Sequence, residues 1–153
     1  MNFNALHQQN QPLLLANVWD ASSAQAAQQA GYQALGSSSA AIAAMLGYED
    51  GEEMSFDELL YIVSHIKAVS ELPLSVDLEA GYSATTSHII DNIQRLAHLG
   101  VSGINLEDSH VVNNTRRLDD AVVFAAKIQE ITHACPDMFV NVRTDTFLLN
   151  VPN

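Results

Sequence analysis

The amino-acid sequence predicts an α/β fold built on a parallel sheet, and three observations carry that prediction. Short apolar runs alternate with longer segments of helical periodicity along the 153 residues. The strand-plus-helix unit recurs roughly every 30 residues, the length of a strand–crossover–strand repeat. The strand-like runs are apolar throughout rather than alternately polar, as expected of strands covered on both faces.

The elements follow in order. Leu13 to Val18 is an apolar run and predicts a buried strand. Asp20 and Ser22 offer N-cap oxygens to a helix over Ala21 to Ala30, and Gly31 stops it. A short strand is expected at Gln33 to Ser37, then a small-residue segment, Ser38 to Leu46, and a turn at Gly47 to Gly51. Ser55 starts the next helix, with Glu58 placed for a capping box and Leu59, Ile62, Val63 and Ile66 at helical spacing. Pro73 leads into a third strand, Leu74 to Leu78. Thr86 to Leu99 is an amphipathic helix ended by Gly100, and Gly103 to Leu106 is a fourth strand. A polar stretch, Ser109 to Arg117, precedes a helix from Leu118 to about His133 and a fifth strand, Met138 to Arg143. No linker or low-complexity segment interrupts the series, so residues 1–153 are expected to form one domain.

Composition narrows the function. The chain is 48% hydrophobic, carries a formal net charge of −12 and has only six Lys plus Arg. A nucleic-acid binder needs a basic footprint, and an anionic membrane surface attracts one; neither is expected as a partner. No apolar run approaches the roughly 20 residues of a membrane helix. Met1 to Gln11 lacks the charged start and apolar core of a signal peptide, and Cys135 is the single cysteine, so a cytoplasmic location is expected. The acidic run Glu49, Asp50, Glu52 and Glu53 reads as a solvated loop, at least for Glu52 and Glu53. A nucleotide-binding domain is disfavoured, since neither G-x-G-x-x-G nor a Walker-type loop with Lys is present.

Chemistry concentrates at Ser75-Val76-Asp77-Leu78-Glu79-Ala80-Gly81-Tyr82. In a strand, residues two apart share a face, so Asp77 and Glu79 should point the same way. Side-by-side carboxylates repel unless a cation or proton lies between them, which makes the pair a candidate site for a hard divalent ion such as Mg²⁺. Helix capping or a salt bridge is the competing reading. Ser38, Asp77, Glu107 and Arg143 all fall at the C-terminal ends of predicted strands, the edge where parallel α/β folds assemble active sites. Ser37 to Ser39 could instead be a polar turn, and Arg143 with Asp145 a structural ion pair. His65, His88 and His98 fall on helices without metal-like partners.

Six segments carry a family resemblance: Asn17-Val18-Trp19-Asp20-Ala21-Ser22-Ser23-Ala24, Gly36-Ser37-Ser38-Ser39-Ala40, Leu46-Gly47-Tyr48-Glu49-Asp50-Gly51, Asp77-Leu78-Glu79-Ala80-Gly81-Tyr82, Gly103-Ile104-Asn105-Leu106-Glu107-Asp108-Ser109 and Asn141-Val142-Arg143-Thr144-Asp145. In this order the chain resembles the isocitrate lyase and phosphoenolpyruvate mutase superfamily, in its phosphonomutase-like branch. The resemblance implies a (β/α)₈ barrel, Mg²⁺, assembly into oligomers, and cleavage or formation of a C–C or P–C bond beside an α-keto acid through an enolate. It implies Asp77 as direct metal ligand, Glu79 and Glu107 on metal-bound waters and Asp50 in support. Ser38, Ser39 and Ala40 would present amides and a hydroxyl to the substrate carboxylate. Arg143 would pair with substrate anionic oxygens through its fixed donor fork.

Isocitrate and methylisocitrate lyases carry a catalytic cysteine in a Lys/Arg-Cys-Gly-His motif after the fourth strand. Here that loop, Ser109 to Arg117, has none, and Asn113 or Asn114 is the residue expected to face substrate. A tricarboxylate lyase is therefore disfavoured. Oxaloacetate decarboxylation is the leading expectation, with phosphonopyruvate-type chemistry next. A (β/α)₈ barrel takes roughly 250 residues, so about five parallel strands and four helices would be its N-terminal portion. An open parallel sheet leaves an unpaired edge, which predicts a homo-oligomer. The alternative is a catalytically inactive, truncated barrel that serves as a structural or assembly module.

Overall fold

The computed structural model describes residues 3–113 and 115–150. In chain order the elements are α1 (Phe3–His7), β1 (Ala16–Val18), α2 (Ala21–Gln29), β2 (Leu35–Ser37), α3 (Ser39–Leu46), α4 (Phe56–Val69) and β3 (Leu74–Asp77). There follow α5 (Thr86–His98), β4 (Gly103–Glu107), β5 (Ser109–Val112), β6 (Thr115–Leu118), α6 (Ala121–Ala134) and β7 (Phe139–Arg143). Five strands form one sheet in the order β1-β2-β3-β4-β7, every pair parallel. Sequential neighbours with no reversal of strand order are the barrel arrangement; a doubly wound sheet would switch direction.

The register decides which residues meet. Asp77 lies opposite Asn105, Asn105 opposite Asn141, and Glu107 opposite Arg143. Asn141 Nδ2 donates to Asn105 Oδ1 at 2.8 Å, so these polar residues share a face. The alternate positions, Val76, Ile104 and Leu106, are fully buried and join one apolar cluster with Leu59, Val63 and Ile66 of α4 and Ile89, Ile93 and Leu96 of α5. Each such side chain contributes about 1.5–3 kcal/mol by leaving water.

Local signals set the helix starts. Asp20 caps α2, accepting from the Ser23 N–H at 2.7 Å, while Ser23 Oγ accepts from the Asp20 N–H at 3.1 Å. The Ser55/Glu58 box forms: Glu58 Oε2 accepts from the Ser55 N–H at 2.8 Å, and Ser55 Oγ accepts from the Glu58 N–H at 3.3 Å. Asp120 caps α6, which therefore starts at Ala121 rather than Leu118.

Three further expectations need correction. The small-residue segment after β2 is a helix, α3, capped by Ser38 and closed by left-handed Gly47. The polar stretch 109–117 is an antiparallel hairpin, β5 against β6, with Val111 opposite Arg116. Asn113 turns it at φ +49°, a conformation asparagine tolerates; Asn114 lies outside the described residues. The run at Leu13 becomes extended only at Ala16, because Leu13 and Leu15 pack instead on an unforeseen helix, α1. There Phe3, Leu6 and Ala34 form a second cluster, with Phe3 edge-on to Phe139 at 5.3 Å. Among the described residues no helix is long and apolar enough to cross a membrane.

Candidate active site

The C-terminal ends of β2, β3, β4 and β7 bring Ser38, Asp77, Glu107 and Arg143 to one edge of the sheet, and the loop before α4 adds Asp50. Asp77 closes β3, its N–H donating to Ser37 Oγ at 2.9 Å. Its Oδ2 accepts from Ser39 Oγ at 2.7 Å and from the Ser39 N–H at 3.3 Å. Ser38 caps α3, its Oγ accepting from the Ala41 N–H at 3.3 Å. The Ser38 and Ser39 hydroxyls thus build the helix start and hold Asp77. The Ala40 N–H, in the first turn of α3, has no intrahelical acceptor.

Glu79 does not extend the strand. β3 ends at Asp77, and Glu79 and Tyr82 are left-handed, at φ +51° and +58°, around Gly81 at +113°. The two-residue alternation between Asp77 and Glu79 is broken by this turn. It nonetheless tucks Glu79 inward, 4% exposed, where its backbone oxygen accepts from the Glu107 N–H at 2.9 Å. Tyr82 Oη donates to Glu79 Oε1 at 3.1 Å. Burial pushes the Glu79 carboxyl up to about 8, and the negative charges of Asp50, Glu52 and Asp77 push the same way. Glu52 is not a solvated loop residue. Its Oε1 accepts from the Tyr82 N–H at 2.7 Å, tying the acidic loop to the β3 turn, and burial raises its carboxyl. Glu53 is exposed and accepts from the Glu49 N–H at 2.6 Å.

Glu107, 3% exposed, is held by two guanidinium groups. Arg143 Nη1 lies 3.0 Å from Oε2, and Arg116 Nη1 donates to Oε1. Burial raises the Glu107 carboxyl, against the two cations that lower it. Arg116 also donates to Ser109 Oγ at 2.9 Å and lies 3.4 Å from Asp145 Oδ2 and 3.6 Å from Asp50 Oδ2. Arg143 Nε donates to Asp145 Oδ1 at 2.7 Å, so the ion pair open in the sequence is formed. Asp145 is 1% exposed. Burial acts against its ionisation, yet the Ser109 hydrogen bond and both arginines hold its carboxyl below the usual range. Asp108 is a brace: its oxygens accept from the Asp145 N–H and Thr144 Oγ1, both at 2.8 Å. His110 pairs with Asp119 at 2.7 Å, and Cys135 sits at the end of α6.

The donor set is all oxygen and strongly acidic, which fits a hard divalent cation. Asp77, Glu79, Glu107 and Asp50 share one edge, but each carboxylate addresses a protein partner. Among the described residues no three His, Cys, Asp or Glu side chains stand together as a ready metal cage. The fit is therefore one of donor chemistry and unbalanced charge. Sequence reasoning missed Glu52, Tyr82, Ser109 and Arg116. For Arg116 the signal was present: two asparagines between Val-Val and Thr-Arg mark a two-residue hairpin loop, which sets Arg116 opposite Val111.

Comparison with known proteins places the fold. The family model described as phosphoenolpyruvate phosphomutase matches residues 3–153. The chain belongs to that family. An uncharacterised Mycobacterium tuberculosis relative is 36% identical over 149 residues, covering 97% of this chain and 55% of the relative. The 2-methylisocitrate lyase of Escherichia coli K12 is 28% identical over 151 residues, 94% of this chain and 51% of the enzyme. An oxaloacetate decarboxylase of Paraburkholderia xenovorans is 33% identical over 96 residues, 62% of this chain and 32% of the enzyme. The crystal structure of a Burkholderia cenocepacia J2315 protein, provisionally assigned to the phosphonomutases, superposes with a TM-score of 0.89 at 38% identity. That match covers 95% of this chain and 60% of that one. A phosphonopyruvate hydrolase, in complex with oxalate and Mg²⁺, shares the fold at a TM-score of 0.83 and 22% identity, over 92% of this chain and 50% of that one. The family includes lyases and mutases, and the five parallel strands with their helices correspond to part of the family barrel. The chain spans about half the length of the first curated relatives it matches.

Proposed function

We propose that this chain provides the metal-binding and keto-acid-binding edge of a cytoplasmic, Mg²⁺-dependent lyase-type enzyme. Its substrate would be a small α-keto acid whose C–C or P–C bond is cleaved, with oxaloacetate decarboxylation ahead of phosphonopyruvate-type chemistry. One observation carries the reading. Glu79 is buried beside Asp50, Glu52 and Asp77, and burial first, then those neighbours, drives its carboxyl up to about 8; these four acids and Glu107 share an edge with two arginines, Arg116 and Arg143. Asp77, Glu79, Glu107 and Asp50 would hold the cation directly or through water. Bound there, Mg²⁺ would draw electron density from keto and carboxylate oxygens as the bond breaks.

The chain's own groups set the rest. The Ala40 N–H, in the first turn of α3, is a donor for a substrate carboxylate at a helix start. Arg143 is 43% exposed in its side chain and offers its remaining donors to a second anionic group. Ser39 holds Asp77 through one oxygen. Two relatives differ in chemistry, one a methylisocitrate lyase and one an oxaloacetate decarboxylase. The absence of cysteine from the hairpin, Ser109 to Arg117, favours the second.

The test is calorimetry with Mg²⁺ and oxalate, a mimic of the enolate. Binding heat is expected for the wild type and none for Asp77→Ala; no heat with either protein refutes the site. A second reading, an inactive structural module, draws on the pairing of Glu107 by two arginines. Turnover of oxaloacetate or phosphonopyruvate by this chain would exclude it. Self-association belongs to the same proposal, with exposed Val142, Phe147 and Leu148 at and beyond β7 as the surface to be covered. A monodisperse monomer in light scattering counts against it.

A further inference from the structure

We propose that Arg116 is a built-in cation occupying the carboxylate edge, which must withdraw before a divalent metal can enter. The inference rests on the reading of Asp50, Asp77, Glu79 and Glu107 as the metal site. Arg116 reaches in from β6 and places one guanidinium against two of those four carboxylates, Glu107 and Asp50. The same group takes Ser109 Oγ at 2.9 Å and lies 3.4 Å from Asp145. The gap lined by Glu52, Glu79, Glu107, Ser109 and Arg116 has no room for a water molecule, so nothing separates the arginine from Glu79 and Glu107 there. Two cations within a few ångströms would repel. Exchange of one for the other is the arrangement that satisfies charge.

Arg116, not Arg143, is the group free to leave. Arg143 ends β7, which is paired with β4 along five residues and is part of the main sheet. Arg116 sits on β6, outside the main sheet, in a strand that is half-exposed. β5 is anchored by buried Ser109 and by Val111 against Gly51, so what leaves is the Arg116 side chain with its end of β6, and no pairing of the main sheet is broken. On withdrawal, Glu107 Oε1 and Asp50 Oδ2 become available to the metal or its waters, while Glu107 Oε2 keeps Arg143. Metal affinity is then set by competition with a tethered guanidinium, and the exposure of Arg116 reports whether the site is loaded.

Mn²⁺ is a suitable probe, because carboxylate and water ligands accept it as they do Mg²⁺. Free Mn²⁺ is followed by electron paramagnetic resonance with wild type, Arg116→Gln, Arg116→Lys and Asp77→Ala. Arg116→Gln is expected to bind about tenfold more tightly than wild type, since a charge at close range is removed. Arg116→Lys keeps the charge and should stay near wild type, and Asp77→Ala should not bind. Equal or weaker binding by Arg116→Gln, with Asp77→Ala still deficient, overturns the role of Arg116 and leaves the metal site standing. Absence of Mn²⁺ binding in every protein overturns the site and the exchange together. Trypsin supplies a readout on the unaltered chain. Cleavage after Arg116 or Arg117 should speed up with saturating Mn²⁺, and an unchanged rate despite bound Mn²⁺ counts against withdrawal.

Discussion

Replacing Glu79 by Gln probes how burial and its acidic neighbours act on this carboxyl. The Glu79 carboxyl is raised from 4.5 to about 8 by burial first, then by Asp50, Glu52 and Asp77. The unfolded chain therefore releases this proton near pH 4.5, while the folded chain keeps it to about pH 8. Between these limits the folded state binds more protons, so stability falls as pH rises. At about 1.36 kcal/mol per pH unit the loss reaches about 5 kcal/mol by pH 8. Gln mimics the protonated acid and can still accept from Tyr82 Oη. Urea denaturation followed by circular dichroism, in the presence of a chelator, is the assay. The two proteins should match within about 1 kcal/mol near pH 4.5, and Glu79→Gln should be several kcal/mol more stable near pH 8.5. Parallel profiles across that range, or a gap below about 1 kcal/mol at the alkaline end, would refute the argument that burial and the neighbouring carboxylates keep Glu79 protonated.

Two further substitutions test the frame around the site. Gly81 has φ +113°, and a Cβ there would lie 2.7–2.8 Å from three side-chain atoms of buried Ile89. Gly81→Ala should cost about 2–4 kcal/mol in thermal unfolding, and a loss under about 1 kcal/mol would mean the turn relaxes freely. Ser55→Ala removes the half of the α4 capping box that the Ser55 hydroxyl makes, leaving the Ser55 N–H on Glu58, and should cost about 1 kcal/mol, with Ser55→Asp recovering most of it; an equal loss for both would exclude capping as the cause.

The strands and long helices were legible because their signals are local. Pro73 and the apolar run to Leu78 mark β3, and Ile89, Ile93 and Leu96 mark the buried stripe of α5. The edge that carries Ser38, Asp77, Glu107 and Arg143 followed from where the strands end. What escaped depends on contacts between distant segments. Phe3 and Leu6 form a helix that is stabilised by Phe139 and Ala34, over 25 residues away. Glu52 looked solvated because its partner is the Tyr82 backbone, 30 positions on. Glu79 departed from strand geometry because Gly81 permits a turn that buries it beside β4. α3 was obscured by a run of serine and alanine whose cap, Ser38, also looked like a turn residue.

A last consequence concerns the acidic loop and the hairpin. A Cβ on Gly51 would lie 2.5 Å from Val111 Cγ2, so the segment bearing Asp50 and the segment bearing Arg116 are interlocked backbone to side chain. Glu52 then stitches that loop to the Glu79 turn. Segments fitted this closely cannot be exchanged singly. A graft from a relative that imports a new hairpin alone would meet the old loop at Gly51, whereas the pair carried together brings its own fit. Altering what this edge accepts is thus a matter of transplanting two loops as one cassette.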